Sequence, residues 1–331
     1  MEPVKQKLDF SAEELESDPV RVFLRVKPSQ GPSCLQLGTG SVVEAAAPKD
    51  SVSYKTEARL GCRADHRFTF STVFAPETSQ KNVFDETALP ALWRFIRGEQ
   101  AIVFTYGVTN SGKTFTMQGS SRDPGILPRS FDVLYNTIGS QLAEPTQVLK
   151  PVKYAGAESC DAATEIAAFE NLVSRVNEIP DLSVLRAASS ASHSTLHSST
   201  ESFTSLLDRA TRDATTLSID STDEPAAYTV WMSYTEIYNG AVFDLLEQPM
   251  VNKRNKINPL KRKHLTVGRD RHGNTYVRNL KRIYIRNSDD AIKVLMVVEA
   301  DAKYVAVGAG FCGSERKKKN DDKSWDIHGR E

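Results

Sequence analysis

The sequence predicts an α/β fold, and three adjacent observations predict it. Residues Gly107-Val108-Thr109-Asn110-Ser111-Gly112-Lys113-Thr114 fit the spacing G-x-x-x-x-G-K-[ST]. Before them, Ala101-Ile102-Val103-Phe104-Thr105-Tyr106 is a short apolar run with β-branched and aromatic residues, the mark of a buried strand. After them, Phe115-Thr116-Met117 opens a helix. Strand, glycine loop and helix in this order aim backbone N–H groups and a helix N-terminus at one point, which is how a chain holds phosphate.

Each residue type in the loop has a physical task. Gly107 and Gly112 let the backbone wrap a phosphate with no Cβ in the way. Lys113 brings a point charge to the β- and γ-phosphates, and the Thr114 hydroxyl ligates Mg²⁺. Lys113 and Thr114 are therefore the candidate catalytic pair, with Thr114 the candidate metal ligand. Val108, Thr109, Asn110 and Ser111 complete the candidate cofactor-binding loop.

The remaining elements follow in chain order. Residues 1–18 are polar and acidic and read as a flexible leader. Strand signals lie near 20–26, 42–45 and 67–70. Thr78 or Ser79 is positioned to cap a helix running to Arg97, with Gly98 as its stop and Pro90 as a kink. Residues 119–125 carry the turn chemistry of a loop, and a helix resumes over Leu127–Ile138. The stretch 141–225 is read as a largely disordered insertion, because about half of Ala187–Thr222 is Ser or Thr. Within it, Glu165–Val176 has helical periodicity, with Thr164 as a candidate N-cap. His193 and His197 stand four apart, but no third ligand accompanies them and they do not make a metal site. Tyr228–Tyr238 reads as one strand, Leu265–Ile285 as strand-turn-strand with His272-Gly273-Asn274 at the turn, and Ser288 with Asp289 and Asp290 as the start of a helix to about Val298.

Several of these segments resemble kinesin motor domains. Arg21-Val22-Phe23-Leu24-Arg25-Val26-Lys27-Pro28 is similar to their first strand, whose R-x-R-P ending lines the adenine pocket. His66–Phe74 resembles the strand before their first major helix. Tyr234-Thr235-Glu236-Ile237-Tyr238-Asn239-Gly240 with Asp244-Leu245-Leu246 resembles their E-I-Y-N…D-L-L segment. The loop itself, Phe104–Thr114, resembles the kinesin-6 version, in which Val and Asn are typical. The likeness runs over about residues 18 to 300. It divides the chain into a P-loop half (19–140), the insertion (141–225), a continuation (226–300) and a divergent tail (301–331).

The resemblance implies a P-loop NTPase motor fold, a central mixed sheet flanked by helices, that binds ATP or ADP with Mg²⁺ and acts on microtubules in the cytoplasm and cytoskeleton, with a family role in the central spindle and cytokinesis. It puts Arg25 and Pro28 against adenine, Lys27 in place of a second arginine, and Phe115 on the other face of the base, where a π surface suits a purine. Lys253, Arg254, Lys256, Lys261, Arg262 and Lys263 form a basic run with no acidic residue between Glu247 and Asp270. With Arg269 and Arg271 they are the candidate contact for acidic tubulin. No nucleic-acid recognition motif accompanies them.

The likeness also has gaps. The switch I pattern N-x-x-S-S-R-S-H is not found. Gly313-Ser314-Glu315-Arg316 resembles the end of switch II, but Gly310 stands where Asp is required and Phe311-Cys312 replace the middle pair. The expected fold is thus incomplete at its C-terminal end. Two readings of function stay open, a motor ATPase and a non-motile nucleotide-binding or interaction protein.

Bulk composition sets outer bounds. The chain has 331 residues, enough for one large domain or two, with 42 basic and 42 acidic residues and no net charge. Cys34, Cys62, Cys160 and Cys312 show no metal spacing and read as free thiols of a reducing compartment. The first ten residues lack an apolar signal core, and no apolar run reaches membrane-spanning length.

Overall fold

The computed structural model describes residues 7–8, 20–29, 34–38, 41–59, 65–143, 146–152, 156–178, 207, 211–219, 227–248 and 262–298, whose main strands and α-helices follow. In order they are β1 (Lys7–Leu8), β2 (Phe23–Arg25), β3 (Leu35–Leu37), β4 (Val42–Ala46), α1 (Val52–Arg59), β5 (Asp65–Thr69), β6 (Thr72–Phe74), α2 (Gln80–Ile96), α3 (Lys113–Gln118), α4 (Ile126–Ile138), β7 (Gln147–Pro151), β8 (Ala157–Asp161), α5 (Ala162–Glu178) and β9 (Thr216–Leu217). Then come β10 (Val230–Met232), β11 (Thr235–Tyr238), β12 (Ala241–Asp244), β13 (His264–Leu265), β14 (Val267–Arg269), β15 (Thr275–Val277) and β16 (Ile283–Ile285). Residues 288–298 form α6.

The expected α/β architecture with mixed strand pairing is present. β2 runs parallel to β6, and β3-β4-β5 and β11-β12-β13 are antiparallel. β10 pairs antiparallel with β16, and β14 with β15. Among the described residues the strands bond in groups of two and three.

Helix α2 shows why the sequence folds as it does. Ser79 caps it, its hydroxyl accepting from the Asn82 N–H at 3.2 Å, and Gly98 ends it with φ of 87°. Pro90 lies inside the helix, which runs through it without a break from Gln80 to Ile96. Phe84, Ala88, Leu89, Trp93 and Ile96 recur at helical spacing and meet Val133, Leu134 and Ile138 of α4 and Leu217 of β9. A second cluster joins Phe169 and Leu172 of α5, Leu245 and Leu246, Ile283 and Ile285 of β16, and Ala291, Val294, Val297 and Val298 of α6. Tyr135 of α4 and Val230 of β10 pack against both clusters, so α4 and β10 stitch the two together. Each large side chain buried this way contributes on the order of 1.5–3 kcal/mol.

Four expectations need correction. Residues 101–106 do not form a buried strand. They have no regular structure, and Ile102, Phe104 and Tyr106 are 87%, 76% and 95% exposed. A strand exists only with hydrogen-bonded neighbours, and among the described residues none pairs with this run. Changing Ile102 to Ser should therefore change the unfolding free energy read from urea denaturation by no more than about 0.5 kcal/mol, as at other surface sites. A loss of several kcal/mol would show that the run is buried after all.

The stretch 228–238 is two strands, because β10 bonds to β16 while β11 bonds to β12, and the chain changes partner at Ser233 and Tyr234. Helix α5 starts earlier than expected. Asp161, not Thr164, caps it, its carboxylate accepting from Thr164 N at 2.9 Å and Thr164 Oγ1 at 2.7 Å. Finally, the region 141–225 contains ordered elements. β7 and β8 form a five-residue antiparallel hairpin, Val148 is fully buried against Ala162 and Tyr284, and Trp231 Nε1 donates to the Leu149 carbonyl at 2.8 Å. Apolar residues on the hairpin and α5 supply the burial that the Ser/Thr-rich part of the region lacks. Most of Ala187–Thr222 lies outside the described residues, as do His193 and His197.

Candidate nucleotide site

Loop 107–112 and the short α3 after it place the first group of candidate residues together. Asn110 and Gly112 have positive φ values of 64° and 98°. That curls the backbone so that successive N–H groups can face one point. At Gly112 the φ value itself demands glycine. At Gly107 an added Cβ would lie 2.5 Å from Ser111 Oγ and 3.2 Å from its Cβ, so the Ser111 side chain would have to turn aside. Lys113 Nζ donates to the carbonyls of Gly107 and Val108 at 2.7 and 2.8 Å, so the ammonium sits inside the curve of the loop. Thr114, the second residue of α3, stands beside it and is exposed. The curved loop, with glycine at either end and a cation at its centre, fits a phosphate group, and Thr114 would hold the accompanying Mg²⁺.

The candidate base-binding residues converge on the same place. Lys27, exposed after β2, donates from Nζ to the Asn110 carbonyl at 3.0 Å and so ties the first strand to the loop. Arg25, at the end of β2, carries its guanidinium carbon 5.2 Å from the centroid of the Phe115 ring, so the two side chains meet each other instead of standing on opposite faces of a base, and the expected sandwich is replaced by one shared wall. Phe115 is 49% exposed, leaving ring surface open to a ligand. Pro28 is exposed just beyond. Burial pulls the Arg25 guanidinium below its ordinary value, and the charge of Asp123 opposes that pull.

Sequence reasoning missed the support behind these residues. Gln80 and Thr116 hold Arg25, and Asp123 Oδ2 faces the Gln80 N–H at 3.4 Å. Asp123 is paired at 3.1 Å to Arg129, whose other arm reaches Asp213 Oδ2 at 3.0 Å. The one local signal was Ser79-Gln80 at a helix start, and it speaks of capping rather than of a site.

The candidate tubulin-binding run is only partly placed. Lys253, Arg254, Lys256 and Lys261 lie outside the described residues. Arg262 is half-buried and Lys263 exposed ahead of β13, while Arg269 and Arg271 are exposed on the β14–β15 hairpin. The acid between them, Asp270, is committed to the turn, accepting from the N–H groups of His272 and Asn274 at 2.9 and 2.8 Å and from Asn274 Nδ2 at 3.0 Å. Arg278, exposed after β15 and close over Gly268, adds a cation that the sequence reading did not single out. The hairpin therefore presents positive charge.

Among the described residues no cluster of His, Cys, Asp and Glu could hold a metal, no helix is long and apolar enough to cross a membrane, and Cys34 and Cys160 are free thiols. Gly310 to Arg316 lie outside the described residues.

Comparison with known proteins accords with this arrangement. The chain is 31% identical over 320 residues to kinesin-like protein KIF20A of Mus musculus, a match covering 85% of this chain and 34% of that protein. It is 28% identical over 280 residues to kinesin-like protein KIF23 of Mus musculus, covering 84% and 27%. The chain thus spans a minor part of the length of these relatives. A solved structure described as kinesin 6 matches with a TM-score of 0.57 at 22% identity, over 84% of this chain and 60% of that one, which shows the shared fold. The likeness to these relatives bears out the kinesin-6 resemblance of the chain. The kinesin motor domain family matches residues 25–309, most of the chain and all of the site just described, and the chain belongs to that family.

Proposed function

We propose that this chain binds ATP or ADP with Mg²⁺ on loop 107–114 and docks on microtubules through its basic face, as a motor-domain part of the microtubule-based machinery of dividing cells. The observation that carries the reading is the curled loop with Lys113 at its centre and positive φ at Gly112. Lys113 supplies charge to the β- and γ-phosphates, and the loop N–H groups and the start of α3 orient them. Thr114 holds Mg²⁺, which when bound neutralises phosphate charge. Arg25 and Phe115 wall the base, and Lys27 fixes the loop against β2. Lys263, Arg269, Arg271 and Arg278 supply the charge for an acidic filament surface.

A thermal melt with and without Mg-ADP tests the nucleotide half. Ligand at 100 times its dissociation constant adds about 2.7 kcal/mol to the folded state, which appears as an upward shift of the melt. The Lys113→Ala variant should lose that shift while melting normally without ligand. An equal shift in both proteins overturns the reading. Co-sedimentation with microtubules at two salt concentrations tests the other half, and binding that is insensitive to salt overturns the charge-based contact.

A further inference from the structure

Gln80, the first residue of α2, is 1% exposed, and a buried amide must use both its donor and its acceptor. Its Oε1 accepts from Arg25 Nη1 at 2.6 Å, and its Nε2 donates to the Phe115 carbonyl at 2.5 Å. The partners fix the orientation of the amide, because a guanidinium only donates and a carbonyl only accepts. Thr116 Oγ1 accepts from the same Arg25 nitrogen at 3.0 Å. One side chain thus bridges β2, α2 and α3 at the place where the Arg25 guanidinium meets the Phe115 ring.

We propose that Gln80 is a positioning residue for nucleotide recognition, locking Arg25 and the Phe115 backbone into one rigid wall on which a purine base stacks. The proposal rests on the nucleotide reading given above. Gln80 is too deeply buried to touch the base and acts through the two residues it bridges. Arg25 carries a long side chain with large rotamer freedom, and a guanidinium stacks on a planar partner only when that freedom has already been removed. The Gln80 amide and the Thr116 hydroxyl remove it before ligand arrives. Asp123, held by Arg129 and facing the Gln80 N–H, fixes the first turn of α2 and with it the amide.

Calorimetric titration of the full chain separates base from phosphate. Mg-ADP carries both, and Mg-pyrophosphate carries the phosphates alone. The wild-type chain should bind ADP more tightly than pyrophosphate. Gln80→Met should weaken ADP about tenfold, the size expected for a lost hydrogen bond to a charged group, and leave pyrophosphate unchanged. Thr116→Val, at a half-buried position, should shift ADP in the same direction by less, and it decides the matter if Gln80→Met does not fold. Unchanged ADP affinity in the folded variants overturns the proposal, and so does an equal loss of both ligands, which would mean general damage to the loop. A wild-type chain that binds pyrophosphate but gains nothing from the base overturns the wall and leaves the phosphate loop standing. A wild-type chain that binds neither overturns the nucleotide reading and the wall with it.

Discussion

Replacing Arg129 with Met is expected to remove about 3–5 kcal/mol of folding stability, the range for breaking a buried ion pair from one side. Both partners are inside, with the Arg129 side chain 7% exposed and that of Asp213 1% exposed, at a separation of 3.0 Å. Arg129 also donates from Nε to the Pro124 carbonyl at 2.8 Å and pairs with Asp123, so one side chain fastens the loop between α3 and α4 to the segment before β9. Methionine restores the apolar volume and none of these bonds. Lys81, 3.8 Å from Asp213, remains as a weaker and more exposed counter-charge.

The loss should depend on pH, with a definite sign. Burial pushes the Asp213 carboxyl up, but hydrogen bonds from Thr215, the charge of Lys81 and the hydrogen bond from Arg129 outweigh it and hold it below its ordinary value of 3.8. A carboxylate depressed in the folded state stabilises the fold above its unfolded value, and that contribution is lost as pH falls through the folded value. In the variant burial has less to oppose it, so protonation relieves the uncompensated charge. The gap between wild type and variant should be full at neutral pH and narrow below about pH 4. Urea unfolding at pH 7 and pH 3.5 measures both points. A gap that is constant with pH would mean that packing, not charge, is what Arg129 supplies.

Truncating Phe84 to Ala should cost about 3–5 kcal/mol, again read from the urea midpoint. Phe84 is fully buried where α2 meets α4. Neighbours on two helices cannot both relax into the space it leaves, so the cavity term adds to the lost transfer energy. The slope of the transition should stay unchanged if the two core clusters unfold together through Tyr135 and Val230. Two separate transitions would show that α4 and β10 do not couple them. A loss below about 1 kcal/mol would contradict the burial itself.

What could be read in the sequence is what local chemistry determines. The loop motif, the Ser79 cap, the Gly98 stop and the turn at His272-Gly273-Asn274 each depend on a few adjacent residues, and each stands where it was expected. The hidden features depend on distance along the chain. Arg129 and Asp213 are 84 residues apart, and Arg25 and Thr116 are 91 apart. No periodicity announces that Gln80 will join β2 to α3. The run 101–106 shows the same limit from the other side. Its composition describes a good strand, but composition cannot say whether a neighbouring strand is there to pair with it. At Tyr228–Tyr238 the apolar pattern was continuous while the partners were not. The Asp161 cap was missed for a smaller reason, because Thr164 three residues on is equally suited to the role and periodicity places a helix end only loosely.

The exposure of Ile102, Phe104 and Tyr106 has a colloidal consequence. The chain carries no net charge at neutral pH, so two molecules that drift together meet no long-range repulsion. Each presents an exposed apolar run that pairs with no strand among the described residues, and two such runs can satisfy one another across a molecular boundary. Buffers away from neutrality give every molecule the same sign of charge, and the solubility of the chain is expected to be lowest near pH 7 and to rise on either side of it.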